Sequence, residues 1–395
     1  MERAEFDKKI TEWVEILNKH KGEETSPWLA PYPIDDRNFY GQQALEWITP
    51  DSIRHYCGAM GERNPLFWNE EYAKKTRWGG VIAPPTFTDS IAISWVTQRE
   101  PSPVPWGFPT NPGGVRRDLF KPIRPGDKIR IVDKWNGYRE VPSRSTEPRP
   151  YRMFIDNVTK SYINQNDEVA AACSSNFIVM AYYADPSGSA AFAGGGRVRH
   201  KCAPRELDAM YRRMEEDRRQ GAEVLDYNSI TVGSSLRTLV TLPSTPLDSV
   251  AFFAAQQGHL VAFDIRWERY IKPNPAAAPI DKETNAPSGG GDETHMKDNA
   301  MLEGEQAYHL GYQIDGLVGR MLCNWMGDDG WVEVLETRYR ALPIVGDSYT
   351  VRGTVTKKYR ESGKNLVDVD LRVENQDGLL IVTGTAKINL MGPKS

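Results

Sequence analysis

The chain opens on a helical pattern of apolar positions. Phe6, Ile10, Trp13, Val14 and Leu17 recur on one side among charged residues, which predicts an amphipathic surface helix. Two later apolar runs, Ile53–Met60 and Val250–Gln256, also read as turns of helix. A longer apolar helix follows each, one from near Thr86 (TFTDSIAISWV) and one from near Asp315 (DGLVGRMLCNWM). Beyond each helix the apolar positions alternate, as strands require. Proline-led Gly-Asp turns precede the runs Lys128–Val132 and Ser348–Thr356, and the last strands are Val169–Met180 and Leu379–Leu390. This order predicts an α+β protein in which a curved antiparallel sheet wraps a central helix, twice over.

The repetition extends to three pairs of segments. GERNPLF at Gly61 pairs with GHLVAFD at Gly258. FKPIRPGDKIRI at Phe120 pairs with YRALPIVGDSYTV at Tyr339. INQNDEVAAACSSNFIVM at Ile163 pairs with ENQDGLLIVTGTAKINL at Glu374. The spacing drifts where each half carries its own insertion, Val141–Pro150 in the first and Lys272–Asn299 in the second, both of loop composition. Ser187–Gly196 (SGSAAFAGGG) reads as a linker and Pro204–Gly221 as a charged helix after it. The predicted organisation is a first domain over 1–185, a linker and helix over 186–222, and a second domain over 223–395.

The paired motifs differ in the groups that can move protons. One residue after its glycine the first copy has Glu62, and six after it Phe67; the second has His259 and Asp264 at the same places. Only the second copy keeps two groups able to exchange protons.

Composition narrows the partners. The 395 residues carry a formal net charge of −4, which gives no electrostatic reason to expect nucleic acid or an acidic membrane. No apolar run is long enough to span a bilayer, and the charged N-terminal stretch is not a signal peptide. A cytoplasmic protein is expected. Cys57, Cys173, Cys202 and Cys323 lie far apart with no CxxC pair. That predicts free, mostly buried thiols in a reducing compartment and argues against a structural zinc site.

At these residues the chain resembles the MaoC-like acyl dehydratase and (R)-specific enoyl-CoA hydratase family, in its tandem double hot-dog form. The family pattern, approximately Y-x-x-x-x-G-D-x-N-P-[LIV]-H followed by an IAPPTF- or IVHGM-type helix start, is met by Tyr56, Gly61, Asn64, Pro65, Leu66, Ala73 and Gly80–Phe87 (GVIAPPTF). The resemblance implies a double hot-dog fold. It implies hydration of trans-2-enoyl thioesters, or dehydration of 3-hydroxyacyl thioesters, with no metal or redox cofactor and with CoA present only as part of an acyl-CoA substrate. It also implies a homo-oligomer or pairing with a second hot-dog subunit. The departures are specific: Glu62 stands where the family has Asp, and Phe67 where it has His. The second half lacks the Asn-Pro and holds His259 and Asp264 in exchanged order.

Adding water to an enoyl thioester needs a base for the water, an acid for the α-carbon and a donor for the enolate oxygen. A histidine beside a carboxylate suits the proton transfers, which makes His259 and Asp264 the candidate pair. The alternative is a buried histidine with an ordinary hydrogen-bond partner. Backbone N–H groups at a helix start suit the oxygen; Gly316 is the candidate donor, since Pro84 and Pro85 leave the first half without N–H groups at that place. Glu62, Asn64, Phe67, Trp68, His309 and Asp315 are candidates for substrate contact. His309 is a rival proton carrier, and Asp315 reads as a helix cap. Trp68, Trp78, Trp95 and Trp106 suit a bulky or aromatic acyl group if they line a cavity and otherwise belong to the core. The cluster Arg116, Arg117, Lys121 and Arg124 suits CoA phosphates but reads more simply as a solvated loop. The expected activity is an acyl-CoA hydratase or dehydratase with its chemistry in the second half. A non-catalytic acyl-CoA-binding subunit and a hot-dog thioesterase are the alternatives.

Overall fold

The computed structural model describes residues 1–25, 45–92, 103–104, 108, 110–142, 149–184, 197–256, 267, 272, 280, 285–287 and 306–392. The strands are β1 (Glu24–Thr25), β2 (Thr110–Leu119), β3 (Arg130–Glu140), β4 (Tyr151–Ile163), β5 (Val169–Tyr182), β6 (Leu239–Val240), β7 (Gly330–Tyr339), β8 (Tyr349–Glu361), β9 (Lys364–Asn375) and β10 (Leu380–Leu390). They form one antiparallel sheet in the order β1-β3-β4-β5-β2-β7-β10-β9-β8-β6. The order reads alike from both ends: 3-4-5-2 meets 7-10-9-8 at a β2–β7 seam, where Val115 faces Thr337. This is the double hot-dog layout that the repeat predicts.

Local sequence explains the symmetry. Gly126 (φ 93) and Gly346 (φ 104) turn the chain into β3 and β8 in a left-handed conformation that glycine reaches without a Cβ penalty. The aspartate after each glycine caps its own turn: Asp127 Oδ2 accepts the Arg124 N–H at 2.7 Å, and Asp347 Oδ2 the Ile344 N–H at 3.2 Å.

The helices are α1 (Arg3–Asn18), α2 (Pro50–Met60), α3 (Glu70–Ala73), α4 (Thr88–Ile91), α5 (Pro204–Glu216), α6 (Pro246–Ala255) and α7 (Gly311–Met326). Phe6, Ile10, Trp13 and Leu17 are the buried face of α1, packed with Trp135, Phe154, Val158 and Val179 of the first-half strands. The paired helices α2 and α6 start alike. Thr49 and Ser52 exchange hydrogen bonds ahead of Pro50, and Thr245 donates its N–H to Asp248 ahead of Pro246, reciprocal caps with proline in the first turn. Tyr56, Met60 and Phe87 share one apolar core with Tyr312, Val318, Met321 and Val369, so the halves are packed through each other.

Three expectations are corrected. The second central helix starts at Gly311 rather than near Asp315. The charged helix ends at Glu216; Asp217–Gly221 leaves it and crosses to the first-half motif. Arg117, read as part of a solvated loop, lies on β2 and is fully buried. Of the first central helix the described part is the turn Thr88–Ile91. Residues 93–100, the linker 187–196 and most of Lys272–Asn299 lie outside the described residues, as do Trp95 and Trp106. No helix among the described residues is long and apolar enough to cross a membrane.

Gly114 sets the closeness of the seam. Its φ is 151, and a Cβ there would lie 2.3 Å from the Thr337 carbonyl oxygen. Gly114→Ala therefore forces β2 away from β7, and a loss of roughly 1–3 kcal/mol is expected, read as a lower urea midpoint.

Candidate active site

The first-half motif is a closed junction. The chain leaves α2 through Gly61 in a left-handed turn (φ 62) and puts Glu62 into its own loop, where Oε1 accepts the Asn64 N–H at 2.7 Å. Asn64 Oδ1 accepts the Leu66 N–H at 3.1 Å and the Arg219 guanidinium at 3.0 Å, and its amide donates to Asp328 Oδ1 at 3.1 Å. Phe67 is buried in the shared core. Burial raises the pKa of Glu62, while its bond from the Asn64 N–H and the nearby Arg320 and Arg219 act the other way. The carboxylate is thus buried in a cationic corner.

Asp328, just past the C-terminus of α7, locks this junction to the second half. Tyr72 donates to its carboxylate at 2.5 Å, and Trp78 to its carbonyl at 2.7 Å. The crossing segment lies over the motif. Asp217 stands 3.8 Å from Arg63 and 3.7 Å from Arg320, the Gln220 N–H reaches the Asn324 carbonyl at 2.8 Å, and the Asp328 N–H reaches that of Gly221 at 2.8 Å. The Asn64 side chain and Glu62 Oε1 are thus engaged in the turn or in holding the halves together. Trp68, a candidate substrate contact, is 46% exposed at the surface beside the motif.

In the second half the helix start is the defined feature. α7 begins at Gly311 after Leu310, which offers no side-chain cap but whose carbonyl accepts the Gln313 N–H of the first turn at 3.0 Å. The helix-start histidine is therefore His309. It is buried, with its ring between two serines, Nδ1 2.7 Å from Ser249 Oγ and Nε2 2.8 Å from Ser244 Oγ. Its backbone N–H is bonded to the Pro343 carbonyl at 2.7 Å. The ring ties α6 to the loop before α7, so contact with a substrate would require displacing a serine.

Two assignments change with the helix start. Gly316 lies well inside α7, where its N–H belongs to the helical ladder, so it is not the oxyanion donor. The absence of a side chain serves packing instead, since a Cβ there would lie 2.1 Å from Met60 Sδ. Asp315 is not a cap but a fully buried partner of Arg117, whose Nη1 is 2.9 Å from Asp315 Oδ2 and Nη2 2.7 Å from Asp89 Oδ2. Tyr339 donates to the same Asp315 oxygen at 2.7 Å. One guanidinium thus holds a carboxylate from each central helix. Burial raises both: Asp89 goes from 3.8 to about 6 against the pull of Arg117, and Asp315 shifts in the same direction. Of the rest of the basic cluster, Arg116 pairs with Asp118 and Lys121 with Glu168 at the surface. His259 and Asp264 lie outside the described residues; the described chain reaches their motif at Gln256, the C-cap of α6.

Comparison with known proteins agrees with this architecture. Residues 38–172 match the family described as FAS1-like, dehydratase domain region. A solved MaoC-like dehydratase superposes with a TM-score of 0.61 at 16% identity, over 94% of this chain and 99% of its own. A MaoC domain protein dehydratase from Chloroflexus aurantiacus J-10-fl gives 0.54 at 11% identity, over 95% and 96%. A Mycobacterium tuberculosis protein described as having a double hotdog fold gives 0.53 at 13% identity, over 93% and 96%. No curated protein matches in sequence. Residues 38–172 are thus similar to that dehydratase region, and over nearly its whole length the chain has the double hot-dog fold seen in solved MaoC-like dehydratases.

Proposed function

We propose that the chain interconverts a trans-2-enoyl thioester and its 3-hydroxyacyl form, carried on CoA, at a single site in the second half. His259 and Asp264 exchange protons with the water and the α-carbon, and the first turn of α7, beginning at Gly311, receives the thioester oxygen. The first half, up to about residue 185, shapes the substrate site, and 223–395 carries the chemistry. No metal or redox cofactor takes part.

One observation carries the placement. The first copy of the motif is sealed by Asp217–Gly221 and has Phe67 where a proton carrier is needed, whereas the second half offers the N-terminus of α7 at Gly311. Such an N-terminus suits developing negative charge on an oxygen.

The test is a panel of enoyl-CoA and 3-hydroxyacyl-CoA substrates followed by enoyl absorbance and by free thiol together. The expected result is a change in enoyl absorbance with no thiol released. Thiol release would identify a thioesterase. Saturable binding without turnover would identify an acyl-CoA-binding subunit that needs a hot-dog partner for chemistry.

A further inference from the structure

The segment leading into α5 gathers three different metal-ligating side chains away from the proposed active site. Candidate donor atoms of His200, Cys202 and Glu206 all lie within 4.8 Å of one another. His200 Nε2 is 3.2 Å from Glu206 Oε2, and its Nδ1 is 3.5 Å from Asp377 Oδ1 in the turn between β9 and β10. Glu206 is fixed in place by the Ala203 N–H, which donates to Oε2 at 2.6 Å. All of these side chains are partly exposed, from 25% for His200 to 55% for Asp377, so an ion reaches them from solvent without opening the fold. The other three cysteines are buried.

We propose that His200 Nε2, the Cys202 thiolate and the Glu206 carboxylate bind a divalent cation of the zinc class, with Asp377 holding the second ring nitrogen of His200. A nitrogen, a sulfur and an oxygen donor with a position left for water is a zinc-like set. A carboxylate on the far nitrogen of a ligating imidazole is the usual orienting partner. In a tetrahedral zinc site donors stand roughly 3.3–3.8 Å apart. The His200–Glu206 pair is already about that close, at 3.2 Å, and all three donors lie within 4.8 Å of one another. Of the cations nearby, Arg197 is engaged by Asp347 at 2.7 and 2.8 Å. A thiol must give up its proton to bind the ion, so binding tightens with pH. The ion would brace the connection between the halves, since α5 leads directly into the Asp217–Gly221 crossing. The cysteine spacing conceals such a site because its other ligands are a histidine and a carboxylate.

The probe is Co²⁺ added to the untagged full chain, with Zn²⁺ as competitor. The expected result is one equivalent bound, with a thiolate-to-cobalt charge-transfer band and tetrahedral visible bands that Zn²⁺ abolishes. Cys202→Ser removes the charge-transfer band. Asp377→Asn weakens binding about tenfold, and His200→Ala weakens it further, all with unchanged circular dichroism. Absence of the band, its survival in Cys202→Ser, or equal affinity in His200→Ala overturns the proposal. None of these outcomes depends on catalytic turnover.

Discussion

Arg117→Met is expected to lower the unfolding free energy by roughly 3–5 kcal/mol near neutral pH, the usual effect of removing one partner from a buried ionic group. The reason is the ratio of charges. A single guanidinium faces Asp89 at 2.7 Å and Asp315 at 2.9 Å, all three side chains buried. Without it, two carboxylates from opposite central helices are left in the core with only neutral hydroxyl donors, Tyr339 and Thr337, at Asp315. The pH dependence gives the check. A carboxyl whose folded pKa is raised contributes stability fully present below its unfolded value and lost as pH rises through the folded value. For Asp89 that window runs from 3.8 to about 6. Arg117 is the chief group holding Asp89 down against burial, so the variant shifts the window upward. Its deficit against the wild type is then largest above about pH 7 and shrinks on acidification toward about pH 4.5. Combining Arg117→Met with Asp89→Asn and Asp315→Asn removes the uncompensated charge and should restore much of the loss. Urea titrations at several pH values measure all of this. A deficit that stays constant with pH would assign the loss to shape rather than charge.

The architecture was legible because it is written locally and twice. Gly126-Asp127 and Gly346-Asp347 build the same turn, Thr49-Pro50 and Thr245-Pro246 start the same helix, and the alternating runs that follow give the same strand order. What the sequence concealed depends on partners far along the chain. The pair Arg116-Arg117 reads as solvated charge, yet alternation along β2 puts Arg117 on the face of Val115 and Leu119, and only the opposite central helix supplies Asp315. The start of α7 was missed because Leu310 is not a capping residue, while Asp315 imitates one a turn further on. The sealing of the first motif rests on Arg219 and Asp217, whose segment has the composition of a helix and acquires its role only in contact with Asn64 and Arg320.

His259→Ala and Asp264→Asn are each expected to reduce kcat for hydration of a responsive enoyl-CoA by roughly 10²–10⁴, the range of positioned acid–base catalysis. The first half explains why the chemistry should not be sought there. Glu62 is the only carboxylate of that motif, and it sits in a turn with Asn64, Arg219 and Arg320 around it, while Phe67 cannot carry a proton. Glu62→Gln should therefore cost less turnover than either second-half change, its main effect falling on the stability of the junction. If the pair acts on one water, the double variant His259→Ala/Asp264→Asn falls little below the worse single variant, since groups acting as a unit are not additive. Two independent losses that multiply would instead mean separate roles. The measurements are kcat and KM for the wild type and the four variants, with circular dichroism to establish that each is folded. A larger loss in Glu62→Gln than in His259→Ala would move the active site to the first half and require the Asp217–Gly221 segment to open for substrate.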